Sequence, residues 1–179
     1  MLRDLVTLET ERILKSNHNL VARLVSERKR FENWLLLEIF KALIPDNPSV
    51  EVEKPLLDGK ERCDLWANEG GGKESWLELK LCVTNYCSDY TESQSTRPIT
   101  NQISDVVRDV EKLSSISDIH NRNVLLIAYP LPFDYRTHST WANHINRMKT
   151  SASKLEEMFS VTIERKAKST AIVGYLLGI

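Results

Sequence analysis

Apolar side chains recur at helical spacing over several long stretches of the chain. Intervals of three and four residues place them on one face of a helix, which can then be buried. The spacing predicts helices over residues 3–15, 19–43, 100–113 and 140–159. Pro45 and Pro48 are expected to end the second of these helices, because proline interrupts helical hydrogen bonding.

Shorter runs between these helices have the pattern of strands. Residues 50–54 alternate between apolar and charged side chains, and residues 123–129 form a continuous apolar run that is typical of a buried strand. Pro130 and Pro132 follow that run and are expected to end it. Further strands are predicted over residues 63–67, 75–81, 161–164 and 170–176, and a long polar loop over residues 82–97.

The order of these elements predicts an α/β protein. Three strands follow the N-terminal helices as a meander, and the helix at residues 100–113 joins the third of them to the buried strand at residues 123–129. A helix between two strands normally makes a right-handed crossover that leaves the strands parallel. We therefore expect a mixed β-sheet core with helices flanking both faces.

The predicted hairpin at residues 63–81 carries the most informative chemistry. Side chains alternate along a strand, so Glu78 and Lys80 share one face. Three leucines take the other, apolar face: Leu77, Leu79 and Leu81. Asp64 can approach from the neighbouring strand, at roughly 5 Å. Two converging carboxylates repel each other unless a cation lies between them, and oxygen ligands favour Mg²⁺ or Mn²⁺.

This pattern resembles the PD-(D/E)XK nuclease superfamily, in which an Asp on one strand is followed by Asp/Glu-X-Lys on the next. Here Asp64 is the Asp and Glu78-Leu79-Lys80 is the triplet, while Cys63 replaces the proline. The resemblance covers about residues 31–129. It implies a restriction endonuclease-like fold and a metal-dependent DNA endonuclease. Asp64, Glu78 and the Leu79 carbonyl would hold Mg²⁺ or Mn²⁺, and Lys80 would assist hydrolysis.

Further site residues are expected on the two helices beside the hairpin. Members of the superfamily often carry a glutamate on the helix before it, and Glu32 and Glu38 are the candidates. Glu32 is preferred for the apolar spacing that follows it, although either glutamate could pair with a surface cation. On the helix after the loop, Gln102 is a candidate for a polar residue beside the active site. Arg97 could contact a phosphate.

Two other interpretations of the same residues remain open. In one, the chain is a catalytically silent nuclease fold that serves as a binding or scaffolding protein, in phage or defence systems. In the other, it is an unrelated α/β domain whose hairpin charges form surface ion pairs. Under that second interpretation, replacing Asp64 by alanine should cost little stability.

Length and composition narrow the setting. A chain of 179 residues suits a single domain, and residues 1–30 are expected to be a helical extension of the nuclease-like core. Four apolar residues there could pack on a second copy to give a homodimer: Leu2, Leu5, Leu8 and Ile13. A net charge of −1 argues against a strong, nonspecific nucleic-acid binder but is compatible with DNA as the partner. The sequence has three cysteines, and it shows neither the pattern of a secretory signal nor an apolar run long enough to span a membrane. We therefore expect a cytoplasmic protein.

Overall fold

The computed structural model describes residues 2–47, 49–56, 59–92, 97–116 and 121–179. Within those ranges, five helices and six strands follow one another along the chain. The helices are α1 (Leu2–Ser16), α2 (His18–Ser26), α3 (Glu32–Leu43), α4 (Ile99–Ser114) and α5 (Ser139–Ser151). The strands are β1 (Val50–Pro55), β2 (Arg62–Gly70), β3 (Lys73–Val83), β4 (Asn121–Leu131), β5 (Lys154–Arg165) and β6 (Lys168–Gly178).

The six strands form one mixed sheet in the order β1-β2-β3-β4-β6-β5. β1, β2 and β3 pair as an antiparallel meander, and β3 lies parallel to β4 after the connection through α4. β6 pairs antiparallel with both β4 and β5. The β2–β3 turn contains Gly71 and Gly72, whose φ angles of 62° and 76° are in the left-handed region that glycine adopts without steric cost. The predicted α/β class and mixed sheet are confirmed.

Helices cover both faces of the sheet, as predicted. Leu77, Leu79 and Leu81 are buried in a core that α1, α2 and α3 complete, and α4 and α5 cover a second core on the opposite face. Burying each leucine contributes roughly 1.5–3 kcal/mol. A register shift of one residue would move all three leucines to the opposite face of the sheet, so their burial on the first face directs Glu78 and Lys80 toward the face covered by α4.

The prediction of a single helix over residues 19–43 is wrong, because α2 ends at Ser26 and α3 begins at Glu32. Arg28 lies in this break with a φ of 52°. Its guanidinium donates hydrogen bonds to the side chains of Asn85 and Thr91, which belong to the segment after β3. These contacts are distant in sequence, so the local apolar spacing does not reveal them.

The helix predicted over residues 140–159 is also too long. α5 ends at Ser151, and β5 begins at Lys154 and pairs along its length with β6. The backbone N–H of Ser153 donates to the carbonyl of Gly178, which starts this pairing. Residues 154–158 are good helix formers, but the strand pairing outweighs that local preference.

Two strand ends also differ from the sequence prediction. Pro130 does not end β4, which continues to Leu131. The register between β4 and β6 shifts between Ala128 and Leu131. Pro130 lies in this irregular part of the pairing, so its missing N–H interrupts no regular hydrogen-bond ladder. The predicted loop over residues 82–97 starts late, because β3 continues to Val83. Residues 93–96 of that loop lie outside the described residues.

The N-terminal helices belong to the main core. Val6, Leu14 and Val21 of α1 and α2 are fully buried in the same cluster as the β3 leucines. Among the residues expected to form a dimer surface, Leu2 and Ile13 are buried within this chain. Only Leu5 and Leu8 of the four are exposed, so the homodimer stays a prediction with a smaller surface. None of the helices in the described ranges has the length and apolar character needed to cross a membrane.

Candidate active site

The candidate site lies where β2 and β3 separate. Their pairing runs from Gly70 opposite Lys73 to Leu65 opposite Leu77. Beyond that point β2 continues to pair with β1, with Cys63 opposite Lys54. Within the described residues, the last part of β3 therefore has a strand neighbour, β4, on one edge and an opening on the other.

Three side chains satisfy the backbone N–H groups along this open edge of β3. Asp64 Oδ2 accepts from Leu79 N at 2.7 Å, Glu32 Oε2 from Leu81 N at 3.0 Å, and Gln102 Oε1 from Val83 N at 2.9 Å. The N–H and C=O of one strand residue point to the same edge. The Leu79 carbonyl therefore faces the opening beside the Asp64 carboxylate.

Glu78 extends from β3 into the face that α4 covers, where its side chain is 2% exposed. Its Oε1 accepts a hydrogen bond from the Lys112 ammonium, and its Oε2 lies 4.0 Å from Lys80 Nζ. Burial raises the pKa of Glu78, and the nearby Asp64 carboxylate raises this pKa further. The contact with Lys112 opposes the shift without cancelling it. Glu78 is thus a buried carboxyl group whose ionised form is destabilised by burial and by the neighbouring Asp64.

Lys80 is held between carboxylates. Its Nζ lies 3.3 Å from Asp109 Oδ2 as well as 4.0 Å from Glu78. Burial lowers the pKa of Lys80, but the surrounding carboxylates, Asp109 first and then Glu78, Asp64 and Glu32, together raise this pKa by more, and the net shift is upward. Lys80 therefore stays an ammonium at neutral pH. This charge suits it to stabilise negative charge and makes it a poor general base.

The residues predicted from sequence separate into two groups. Asp64, Glu78, Lys80 and Glu32 meet around β3 where it leaves β2. Glu38 instead forms an ion pair with Lys41 on α3, with 2.9 Å between Oε1 and Nζ. Of the two candidate glutamates, Glu32 is the one that the fold brings to the hairpin.

Gln102 and Arg97 have partners that limit what they can do at the site. The Gln102 amide accepts from Val83 N and donates to Val83 O and Arg97 O. Its polar atoms are thus engaged with backbone, and Gln102 acts on the position of β3. Arg97 forms an ion pair with Asp105, although its side chain is 43% exposed.

Asp109 and Lys112 join the cluster without having been singled out from the sequence. Both project from α4, beside the apolar stripe that identified this helix. Gln102, Asp105, Asp109 and Lys112 are spaced by three, four and three residues. That spacing puts polar side chains on one helix face next to the buried one. A polar stripe read together with the apolar stripe could have found them.

The oxygen atoms of this cluster are of the chemical type that binds a hard divalent cation. Asp64, Glu78 and the Leu79 carbonyl are the ligands that Mg²⁺ and Mn²⁺ prefer. Across the described ranges, however, no three His, Cys, Asp or Glu side chains are grouped so that they could hold a metal ion. In the arrangement seen, Lys112 and Lys80 supply the positive charge beside Glu78.

Comparison with known proteins gives no relative for this arrangement. No family model matches the chain, and no curated protein or solved structure matches it either. The class of protein that the fold defines is therefore an α/β protein with a six-stranded mixed sheet and a charged cluster beside its central hairpin.

Proposed function

We propose that the protein is a metal-dependent nuclease that hydrolyses DNA phosphodiester bonds. The observation that supports this function is the meeting of Asp64, Glu78 and Lys80 where β2 and β3 separate. The cluster combines two carboxylates, which can bind a cation, with an ammonium, which can stabilise an anion. Glu32 lies on the same edge and adds a carboxylate.

Each side chain has a role in this proposal. Asp64, Glu78 and the Leu79 carbonyl would hold Mg²⁺ or Mn²⁺, which polarises the phosphate and lowers the pKa of a bound water when present. The hydrogen bond from Leu79 N fixes the Asp64 carboxylate in advance. Lys80 faces the developing negative charge of the phosphate, and Asp109 holds its ammonium in place.

A cleavage assay tests the proposal. The purified protein is incubated with supercoiled plasmid and with labelled single-stranded, duplex and branched oligonucleotides, in Mg²⁺ or Mn²⁺ and in EDTA. Cleavage is expected with metal and is expected to stop in EDTA. Lys80→Ala should reduce the rate about 10²–10³-fold, the usual cost of losing one group that stabilises transition-state charge.

The control is Lys41→Ala, which removes another lysine that pairs with a glutamate. Lys41 lies on α3, paired with Glu38 and away from the hairpin, so this variant should cleave at the wild-type rate. Equal rates for the wild type and Lys80→Ala would contradict the proposed role of Lys80. An absence of metal-dependent cleavage on every substrate would contradict the proposed activity.

A catalytically silent binding protein is the second candidate, and the pairing of Glu78 with two lysines favours it. Such a protein, in a phage or defence system, would bind DNA without turnover. Fluorescence anisotropy with the same oligonucleotides distinguishes the two functions. Binding that is independent of Mg²⁺, together with no cleavage, would support the silent protein over the nuclease.

A further inference from the structure

A surface pocket lies between α2 and the start of α3, beside the open edge of β3. Its volume is about 560 Å³, within the range of pockets that bind small organic groups. Leu20 lines this pocket and is 44% exposed, so the pocket presents apolar surface to solvent. We call it the α2–α3 pocket, and it is lined chiefly by Leu20, Leu24, Arg30, Phe31, Glu32 and Trp34.

Two aromatic rings form part of this lining. Phe31 is buried, and its ring stacks on Tyr129 with 4.9 Å between the ring centroids. The Trp34 ring meets Phe31 edge-on at 6.0 Å and is only partly buried, so some of the indole remains accessible. An accessible aromatic ring that is held by its neighbours, beside an exposed leucine, is a surface on which a planar heterocycle can stack.

Arg30 brings positive charge to the pocket and connects it to β3. Its side chain is 48% exposed, and its Nη2 lies 3.3 Å from Glu32 Oε2 and 3.4 Å from the Leu81 carbonyl. Within the described residues these contacts use one of its three nitrogens, so Nε and Nη1 can bind an oxyanion. The Glu32 carboxylate is offset by Arg30, and the neighbouring Lys29 is exposed. The rim of the pocket therefore carries a net positive charge.

The pocket and the candidate site share one strand. Glu32 accepts the N–H of Leu81, and Asp64 accepts the N–H of Leu79, two residues earlier on β3. Two residues of a strand span about 7 Å. A group bound in the pocket and a phosphate beside Asp64 can therefore belong to one short segment of a nucleic-acid strand.

We propose that the α2–α3 pocket binds an unpaired nucleobase, so that the protein prefers single-stranded DNA to an intact duplex. Trp34 and Leu20 contact the base, and Arg30 contacts a backbone phosphate. A base inside a duplex is stacked and paired, so it must first be flipped out to enter such a pocket. This inference rests on the proposed function for the choice of DNA as the ligand, and the binding requires no metal ion.

Fluorescence anisotropy in EDTA tests the pocket without hydrolysis. Three labelled probes of equal length are compared at one salt concentration: a single-stranded oligonucleotide, the same strand in a duplex, and an abasic strand that keeps the phosphates. Stacking of one base on an aromatic side chain changes affinity by about 5–100-fold. We expect the single strand to bind more tightly than both other probes, and more tightly than the abasic strand by that factor.

Leu20→Glu and Leu37→Glu are a matched pair of variants. Both leucines lie on helices, 44% and 55% exposed, but of the two only Leu20 lines the pocket. The added carboxylate at position 20 places charge against the base and repels the phosphate, so Leu20→Glu should bind the single strand about 5–100-fold more weakly. Leu37→Glu adds the same charge elsewhere and should keep the wild-type affinity. Thermal melting checks that both variants are folded.

The outcomes separate this inference from the proposed function. Tighter binding of the single strand, weakened by Leu20→Glu alone, supports the pocket even if the protein does not cleave DNA in Mg²⁺. Equal affinity of the wild type for the single strand and either other probe overturns the pocket, as does an equal effect of the two variants. Cleavage in Mg²⁺ would then still support the nuclease. No binding of any probe overturns the pocket together with DNA as its ligand.

Discussion

At the scale of single residues, Asp64 has a structural role that a surface ion pair would not have. Its carboxylate accepts the backbone N–H of Leu79, whose side chain is fully buried. An unpaired N–H in such a place costs about 1–3 kcal/mol. The contact therefore distinguishes Asp64 from a charge on a solvated hairpin.

Two substitutions of Asp64 measure this role. Asp64→Ala and Asp64→Asn both remove the charge that repels Glu78, but only the asparagine keeps an oxygen that can accept from Leu79. We expect Asp64→Ala to be less stable than Asp64→Asn by about 1–3 kcal/mol. Urea unfolding of the two variants gives the difference. Equal stabilities would favour the unrelated α/β domain with surface ion pairs.

The raised pKa of Glu78 predicts how stability depends on pH. In the unfolded chain Glu78 loses its proton near pH 4.5, and in the folded protein near pH 8. Between these values the folded state binds more protons than the unfolded state, so the free energy of unfolding falls as the pH rises. Asp109 also has a raised pKa and acts in the same direction. The raised pKa values of Lys80 and Lys112 affect stability only above about pH 10.

Glu78→Gln should remove most of this slope. One group contributes at most about 1.4 kcal/mol per pH unit, and a neutral amide contributes none. The free energy of unfolding is measured in urea at several pH values from 5 to 8, with Glu38→Gln as the matched surface control. If Glu78→Gln keeps the slope of the wild type, the pKa of Glu78 is not raised in the folded protein.

The sequence was most informative for residues whose positions follow from local alternation. Glu78, Lys80 and Asp64 lie on the predicted strands, and period-two alternation places the first two on one face. Asp109 and Lys112 reach the cluster through the packing of α4 on the sheet. That packing depends on tertiary contacts, so residue types in one helix could suggest the polar stripe and not its partner.

At the scale of elements, β5 and β6 show how tertiary pairing overrides local preference. The segment Lys154–Arg165 begins with Leu155, Glu156 and Glu157, which favour helix. Its pairing with β6, an apolar strand buried along most of its length, makes it a strand. The break between α2 and α3 has the same origin, because Arg28 bonds to residues after β3.

Gly174 provides a test of the β5–β6 pairing. A Cβ atom at this position would lie 2.4 Å from the ring of Phe159, which is 5% exposed and packed in the core. Gly174→Ala should therefore force the ring to move and destabilise the protein by about 1–3 kcal/mol, the usual cost of overpacking.

Gly178→Ala is the matched control on the same strand, because its added Cβ would meet its nearest neighbour, Lys154, at 3.7 Å. That is an ordinary van der Waals distance, and the variant should keep wild-type stability. Denaturant midpoints for the two variants give the comparison. Equal midpoints would show that Phe159 does not pack on Gly174 as described.

At the scale of the whole molecule, the order of elements was enough to predict the α/β class. The crossover through α4 predicted that β3 and β4 are parallel, and they are. The placement of β6 between β4 and β5 was not predicted, because sequence order does not determine which strands become neighbours. The packing of α1 and α2 into the main core was also missed, since an amphipathic helix does not reveal what it covers.

We propose that the charged cluster beside the open edge of β3 hydrolyses phosphodiester bonds. Asp64→Asn is the sharpest probe, because it should keep the Leu79 hydrogen bond and hence the fold while losing a proposed metal ligand. We would measure DNA cleavage in Mg²⁺ for the wild type, Asp64→Asn and Glu38→Gln under identical conditions. We expect cleavage by the wild type and Glu38→Gln, and a loss of at least about 10²-fold in Asp64→Asn. Cleavage by a folded Asp64→Asn at the wild-type rate, or none by any of the three proteins, would contradict the proposed function.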